Sequence, residues 1–298
     1  MADSFKAFIA AAAVIAMLVA PARAHAWGFE AHAFIMARAI ALLPAELRPF
    51  FEANRTFLIE HTIDPDLWRT AGFTEEPPRH FIDLDAYGAY PFKELPRDYA
   101  AALKKYGTET LRKNGLLPWR TAEVAEWLRR AFAQLPKGSA YASNDVKFFS
   151  TVLAHYVADG HVPFHAVTNY DGQLTGQNGI HLRWEGELFT RYQQTLSIKP
   201  APIRPIPNMR NFMFDTALTS FQLTQGVLDA DRAAIGTRDE YDDKYFDAFF
   251  TGTRPVLERR LGESITAVAS AIVSAWEQTG RPAVPVTPPK RVERRRAR

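Results

Sequence analysis

Apolar residues recur at intervals of three and four along most of this chain, and this spacing constrains the fold more than any other feature. The segments that carry it are 33–43, 121–133, 146–158, 213–228 and 265–276. Such spacing places the apolar residues on one face of an α-helix. Alternating patterns typical of β-strands and Asn-Gly hairpin turns are scarce. The sequence therefore predicts an all-α protein.

The length and composition are sufficient for one sizeable core. The chain has 298 residues, of which 47% are hydrophobic, and a chain of this size can bury most of its apolar surface. Proline-rich connections at 75–78, 198–207 and 282–289 are typical of ordered loops or linkers. Neither an internal repeat nor a glycine-rich phosphate loop is present in the sequence. We predict a single compact multi-helix domain over about residues 27–280.

The N-terminal segment has the layout of a secretory signal. Lys6 precedes an apolar run over 8–20, and Pro21 is followed by the small-residue sequence of Ala24 to Ala26. The run is too short for a membrane anchor, because a spanning helix needs about 20 apolar residues. We predict a signal peptide over residues 1–26, export to the periplasm or the exterior, and a mature chain that begins at Trp27. Cleavage after Ala24 is the alternative.

The positive charge of the chain is concentrated at its C-terminal end. The formal net charge is +3, and six of the nine residues from Lys290 to Arg298 are basic. Without this end and the signal segment, the remaining body is slightly acidic, so its overall charge does not argue for a nucleic-acid substrate. Residues 281–298 are predicted to be a basic, disordered tail.

Three histidines and an aspartate lie within eleven residues at the end of a predicted helix. His155 and Asp159 are four residues apart, which places them on one helix face, where they can converge on a metal ion. Gly160 and Pro163 then end the helix and turn His165 back toward the same place. Because the chain has no cysteine, any metal must bind to His, Asp or Glu.

Three further groups of polar residues add weaker signals. His181 and Glu185 repeat the four-residue spacing, with a glutamate as the carboxylate. Upstream, Asp66 and His80 each stand beside aromatic residues. A surface ion pair would explain His181 and Glu185 if they stood alone, and Asp66 or His80 alone is weak evidence. Only their combination with His155 and Asp159 indicates a metal cluster.

Taken in order along the chain, these residues resemble the three-zinc phosphoesterases. This superfamily includes the single-strand-specific nucleases of fungi and plants and the bacterial zinc-dependent phospholipases C. Its pattern begins with an N-terminal tryptophan, whose free amine and carbonyl bind zinc, and includes a His-Phe-Ile-Asp motif that begins here at His80. The resemblance covers about residues 27–190 and fills nine ligand positions: Trp27, His32, Asp66, His80, His155, Asp159, His165, His181 and Glu185.

The resemblance implies three zinc ions in a helical domain of the phospholipase C and single-strand nuclease type. Asp66, His80, His155 and Asp159 would hold one ion. Trp27 and His32 would hold its close partner together with a bridging Asp159. Two zinc ions about 3.5–4 Å apart can activate a water for attack on phosphorus. The remaining three ligands, His165, His181 and Glu185, would hold the third ion. Because an amide nitrogen is a poor ligand, a chain that retains residues before Trp27 is expected to bind less zinc.

The substrate is predicted from residues around the metal ligands. Arg69 corresponds to a phosphate-binding arginine of the nucleases, while Phe81 and Asp83 correspond to residues that stack on and hydrogen-bond a base; simple packing would also explain Phe81. Asp66, Arg69 and Asp159 are the predicted catalytic residues. These matches favour a nuclease or 3′-nucleotidase acting on single-stranded DNA or RNA.

Two alternatives stay open at the level of sequence. Glu185 is the carboxylate typical of the phospholipases, so phospholipid is the alternative substrate. An exported module with purely structural zinc is the second alternative. Structural zinc sites usually have four protein ligands, whereas His165, His181 and Glu185 provide only three.

Overall fold

The described part of the protein is helical throughout. The computed structural model describes residues 28–139 and 141–287, and within these ranges it contains helices and connecting segments but no β-strand. The predicted all-α class is thereby confirmed. In the same ranges, no helix has both the length and the apolar character that crossing a bilayer requires. The predicted signal peptide (1–26), Trp27 and residues 288–298 of the predicted tail lie outside the described residues.

The helices differ widely in length, and the two longest come last. In chain order they are α1 (Phe29–Leu42), α2 (Arg48–Ala53), α3 (Arg55–Glu60), α4 (Asp64–Thr70), α5 (Tyr99–Lys113), α6 (Leu117–Gln134), α7 (Ala142–Asp159), α8 (Ile180–Leu182), α9 (Leu188–Tyr192), α10 (Met209–Ile235) and α11 (Asp243–Glu277). Short 3₁₀ turns occupy His61–Ile63, Pro77–Arg79, Leu84–Tyr87, Leu135–Lys137, Pro163–Ala166 and Gln193–Thr195. A π-helical turn, Arg183–Glu187, joins α8 to α9.

Helix α7 forms the centre of the domain. It contacts α1, α3, α6, α11 and the 61–63 turn, and every residue from Ser150 to Asp159 is buried. A helix that is buried on all sides needs apolar or small residues around its whole circumference, and Val152, Leu153 and Ala154 provide them. The polar residues that interrupt this pattern, His155 and Asp159, are therefore held rigidly in the interior.

An extended segment over 197–206 is attached along α11 by hydrogen bonds. The backbone N–H groups of Ala201, Arg204 and Ile206 donate to the hydroxyls of Thr266, Ser270 and Ser274, respectively, at 2.9, 3.2 and 2.8 Å. The three hydroxyl residues are spaced four apart and therefore lie along one face of α11. The proline-rich 198–207 segment is thus an ordered connection, as its composition predicts.

A smaller apolar cluster holds the loop that follows the 77–79 turn. Ile82 and Leu84 from this loop pack with Leu111 of α5, Trp119 of α6 and Phe214 of α10, among others. Because these residues are buried together, His80 and Asp83 on the same loop are fixed against the body of the domain.

Candidate metal centre

The last turn of α7 aligns His155 and Asp159 as their spacing predicts. Both residues are fully buried, and His155 Nε2 lies 3.3 Å from Asp159 Oδ2. The other ring nitrogen, Nδ1, donates to the carbonyl of Thr62 at 2.8 Å. Since a carbonyl can only accept, the neutral ring carries its hydrogen on Nδ1 and keeps a lone pair on Nε2. Nε2 is therefore the available ligand atom.

The chain immediately after α7 is held by donors from α10 and α11. The backbone carbonyls of Gly160 and Pro163 accept hydrogen bonds from Ser220 at 2.7 Å and Thr224 at 3.0 Å. Arg260 Nε donates to the carbonyl of His161 at 2.8 Å. Carbonyls beyond a helix end have no partner within the helix, so these side chains fix the turn that follows.

His165, on that turn, points back toward the loop that carries His80. His165 Nδ1 donates to the carbonyl of His80 at 2.6 Å, and the N–H of Ile82 donates to the carbonyl of His165 at 2.9 Å. This leaves His165 Nε2 with a lone pair. By contrast, His161 is buried elsewhere, where its Nδ1 donates to the carbonyl of Val157 at 2.7 Å.

His80 lies against the α7 pair. Its Nδ1 is 3.0 Å from Asp159 Oδ2 and 3.1 Å from His155 Nε2. The first residue of α6, which follows the connection from α5, holds the adjoining residue, because Leu117 N–H donates to the carbonyl of Phe81. Gly115 in this connection has a φ of +91°, and an added Cβ there would lie 2.1 Å from the carbonyl oxygen of Phe81. Only glycine fits at that position without moving the loop.

His32 and Asp66 complete one side of the centre. His32, on α1, stacks on His155 with ring centroids 4.1 Å apart, and its Nε2 is 3.4 Å from Asp159 Oδ1. Asp66, on α4, is buried and lies 3.8 Å from His80 Nδ1. His32 Nδ1 and Asp66 Oδ2 are buried without a hydrogen-bond partner among the described residues. Buried polar atoms are normally paired, so these two indicate a missing partner.

His165, His181 and Glu185 form a separate group. His181 Nε2 lies 3.1 Å from Glu185 Oε2, and His165 Nε2 lies 3.9 Å from the same oxygen. The two imidazole rings are nearly perpendicular, with centroids 4.9 Å apart. His181 Nδ1 is also buried without a hydrogen-bond partner in the described ranges. The geometry agrees with the prediction that these three residues belong together.

Buried contacts to α10 and α11 anchor the segment that carries His181 and Glu185. Arg183 donates to Tyr245 at 2.9 Å and to Asp231 at 3.1 Å, and it also donates to the carbonyl of Asn178 at 2.7 Å. Tyr245 donates a short hydrogen bond to the same Asp231. An arginine can make this many bonds because its guanidinium presents five N–H groups in a fixed plane.

Three buried groups of side chains in the described residues have the geometry to hold a metal ion. They are His32 with Asp66 and His155, His80 with His155 and Asp159, and His165 with His181 and Glu185. Within each group, the potential ligand atoms lie within 4.8 Å of one another. Together the groups contain all the predicted ligands except Trp27, which lies outside the described residues. The first two groups share His155, whereas the resemblance places Asp159 as the shared ligand.

Burial and charge adjust the protonation of these histidines. Burial lowers the pKa of His165 to about 3 and that of His181 to about 4, which leaves both rings neutral and able to bind a metal at neutral pH. Burial also acts to lower the pKa of His80, but Asp159 and Glu76 outweigh it and raise that pKa to about 9. Burial opposes ionisation of Asp159, but the surrounding histidines, His155 foremost, hold its pKa well below the usual range.

The three groups are called the metal-capable groups below. A cavity of about 300 Å³ is lined by members of two of them, His80 of one and His165 and His181 of the other. It contains the three residues predicted to bind substrate, and so brings them together with predicted metal ligands. Lys113 and Tyr170, which the sequence analysis missed, also line it. The full lining is Arg69, Pro77, His80, Phe81, Asp83, Lys113, Phe164, His165, Tyr170 and His181.

Asp83 lines this cavity with a carboxyl that is about half neutral near pH 7. Burial raises the pKa of its carboxyl from 3.8 to about 7, and the nearby Asp85 adds to the effect. Asp83 Oδ1 is buried without a hydrogen-bond partner in the part of the chain that the structure describes. Near the midpoint of its titration, a carboxyl group can either donate or accept a hydrogen bond. Asp83 is therefore suited to hydrogen-bond the polar edge of a ligand.

We expect Asp83 to make folding pH-dependent. The folded pKa is raised, so the favourable contribution is complete below pH 4 and is lost as the pH rises to about 7. Over this range, the free energy of unfolding falls by about 4 kcal/mol. Asp83→Asn should therefore be more stable than wild type at pH 8 and nearly equal to it at pH 4, as measured by urea unfolding. Asp229→Asn, at an exposed position, is the control; a pH-independent effect of Asp83→Asn would refute this prediction.

Glu76 is a further buried acid that the sequence analysis missed. It is 1% exposed and accepts a short hydrogen bond from Tyr156 and one of 2.7 Å from Arg79. Burial acts to raise its pKa, but His80, Tyr156 and Arg79 outweigh burial and lower the pKa to about 2. Its position four residues before His80 is the one signal in the sequence that links it to the centre.

Comparison with known proteins adds no further assignment. No protein-family model matches the chain, and no curated protein matches it. The buried groups of His, Asp and Glu therefore carry the functional argument by themselves, within a single helical domain.

Proposed function

We propose that this protein is a zinc-dependent hydrolase of phosphate esters, acting as a nuclease or 3′-nucleotidase on single-stranded nucleic acid. One observation carries the proposal. One cavity is lined by members of two groups of potential metal ligands (His80, and His165 with His181), by an arginine, by an aromatic ring and by the carboxyl of Asp83. One bound substrate could therefore reach a metal ion, a phosphate-binding residue and base-binding residues.

The residues fit zinc in their chemistry. Imidazole nitrogens and carboxylate oxygens are suitable zinc ligands in the absence of cysteine. His32 Nδ1 and Asp66 Oδ2 are buried without hydrogen-bond partners among the described residues, as expected of atoms that bind a metal ion. Zinc bound there would act as a Lewis acid toward the phosphate ester and lower the pKa of the attacking water. Trp27 remains a proposed additional ligand on the His32 side.

Arg69 is placed to bind a phosphate oxygen. Its side chain is 23% exposed, and a guanidinium nitrogen lies 3.2 Å from Asp66 Oδ1. Asp66 therefore orients the guanidinium beside the metal-capable groups while part of it faces the cavity. Arginine can bind two phosphate oxygens at once, so it would neutralise charge that builds up on the phosphate during hydrolysis.

Phe81 and Asp83 can together recognise a nucleobase. Both line the cavity, and Phe81 is half-buried, so it retains exposed surface for stacking. The exposed ring of Tyr170 supplies a second aromatic surface in the same wall. Lys113 adds a positive charge at this wall, and no ion pair holds it among the described residues. These features favour an aromatic, anionic substrate such as a nucleotide.

A parallel assay tests this function. Purified mature protein would be given single-stranded DNA, RNA, a 3′-nucleotide and phosphatidylcholine vesicles, each with and without a chelator. We expect chelator-sensitive cleavage of the nucleic acids. Stoichiometric zinc without hydrolysis of any phosphate ester would refute the enzyme and favour a module with structural zinc.

Replacement of Arg69 or Phe81 should reduce nucleic-acid cleavage without loss of zinc. We expect Arg69→Ala to lower kcat by about 10²-fold, since it removes a donor to developing charge. Phe81→Ala should remove about 1–3 kcal/mol of base stacking and mainly raise KM. Phe73→Ala, at a side chain that is 62% exposed and outside the cavity lining, is the control. Unchanged cleavage by both Arg69→Ala and Phe81→Ala would argue against a nucleotide substrate.

Phospholipid is the second candidate substrate, because apolar side chains are exposed on the segment that leads from the cavity residue Tyr170 to His181. Leu174 is 70% exposed and Tyr170 is 50% exposed, on the segment that precedes His181. Exposed apolar side chains beside a site can contact a lipid surface. Hydrolysis of the vesicles together with resistance of the nucleic acids would favour this alternative.

A further inference from the structure

Glu76 faces the edge of His80 that points away from the metal-capable groups. His80 Nδ1 lies within 3.1 Å of both Asp159 Oδ2 and His155 Nε2. The opposite ring nitrogen, Nε2, lies 3.6 Å from Glu76 Oε1. A metal bound by His80 together with Asp159 and His155 must use Nδ1, so the hydrogen of the neutral ring is then on Nε2, facing Glu76.

We propose that Glu76 is a positioning residue that holds the hydrogen on His80 Nε2 and directs Nδ1 toward the metal. The inference rests on the metal centre of the proposed function and adds a residue to it. A carboxylate behind a metal-binding histidine fixes the orientation of the ring and increases its basicity. Closing the gap of 3.6 Å to an ordinary hydrogen bond requires a movement of less than 1 Å.

Glu76 is itself held firmly in this position. Tyr156 donates a short hydrogen bond to Glu76 Oε1, and Arg79 donates to Oε2 at 2.7 Å. Tyr156 is in turn close to Arg120, whose Nε lies 3.5 Å from the tyrosine hydroxyl and whose guanidinium lies over the ring of Trp127 at 4.6 Å. The carboxylate therefore has partners on both oxygens and a fixed direction toward His80.

A purely structural role for Glu76 makes a different prediction from a positioning role. If Glu76 mattered only as the buried partner of Tyr156, removal of the tyrosine hydroxyl would be about as harmful as removal of the carboxylate charge. If Glu76 acts through His80, then Tyr156→Phe, which keeps the carboxylate, should affect metal binding less than Glu76→Gln does.

The test is zinc affinity, which does not depend on catalysis. Full mature protein loaded with zinc would be dialysed against graded concentrations of a chelator, and the retained zinc counted. For Glu76→Gln we expect about 10- to 100-fold weaker binding of the ion at His80, with the ion at His165, His181 and Glu185 retained as in wild type. The cobalt-substituted protein should show a shifted visible absorption band in Glu76→Gln, because the donor strength of His80 changes. Tyr156→Phe should show a smaller change in both measurements.

Glu75→Gln is the matched control. Glu75 is the adjacent residue, its side chain is 61% exposed, and it pairs with Arg112 at 2.6 Å. It should bind zinc as wild type does. Wild-type zinc affinity and an unchanged cobalt spectrum in Glu76→Gln would overturn this inference alone. Zinc loss in Glu76→Gln, combined with no hydrolysis by the wild type, would leave the inference standing and overturn the proposed activity.

Discussion

Replacing Asp159 with asparagine is expected to reduce phosphate-ester hydrolysis by about 10³-fold or more. Asp159 is fully buried, and its two oxygens lie 3.4 Å from His32 Nε2 and 3.0 Å from His80 Nδ1. Its carboxylate therefore lies between His32 of one group and His80 of the adjoining group. Asparagine keeps the shape of the side chain but removes the negative charge that would bind metal. The variant should also retain fewer zinc ions than wild type, as measured by elemental analysis.

Asp145→Asn provides a control for this substitution. Asp145 lies in the first turn of the same helix, α7, and is half-buried. It should keep wild-type metal content and activity, because it is far along the helix from the metal-capable groups. Near-normal turnover of Asp159→Asn with full metal content would contradict the assignment of Asp159.

Removal of the metal is expected to lower the melting temperature by roughly 20 °C or more. Each site at zinc concentrations 1,000-fold above its Kd contributes about 4 kcal/mol to stability. For a chain of this size, each kcal/mol corresponds to roughly 2–4 °C. Bound metal ions would also offset the negative charge of the buried carboxylates of Asp66, Asp159 and Glu185. Thermal unfolding followed by circular dichroism, with and without chelator, measures the shift.

A double variant distinguishes this effect from other actions of the chelator. Asp159→Asn combined with His181→Ala removes one ligand from the group of His80, His155 and Asp159 and one from the group of His165, His181 and Glu185. Chelation should therefore lower its melting temperature much less than that of wild type. An equal melting temperature of wild type with and without chelator would mean that metal contributes nothing to the fold.

Local spacing accounts for the parts of the site that the sequence predicts well. The pairs His155 with Asp159 and His181 with Glu185 are each four residues apart, so the geometry of one helix turn is enough to bring them together. Gly160 and Pro163 likewise predict the turn that returns His165. The class of the fold follows from the same periodicity, because apolar spacing of three and four residues predicts helices before any tertiary contact is known.

Contacts between distant segments explain what the sequence could not predict. Glu76 meets Tyr156 across 80 residues of chain, and nothing in local spacing indicates that pair. Lys113 enters the cavity because the connection from α5 to α6 packs on the loop at 78–83. The π-helical turn at 183–187 has no distinct sequence pattern that separates it from an ordinary helix. Tertiary packing determines the first two features.

The metal content of the purified wild-type protein is the most direct test of the central claim. Native mass spectrometry and elemental analysis of mature protein, prepared without chelator, would count the ions bound to each chain. The structural groups and the proposed Trp27 ligand together predict about three zinc ions per chain. A chain that binds one ion or none under these conditions would contradict the account.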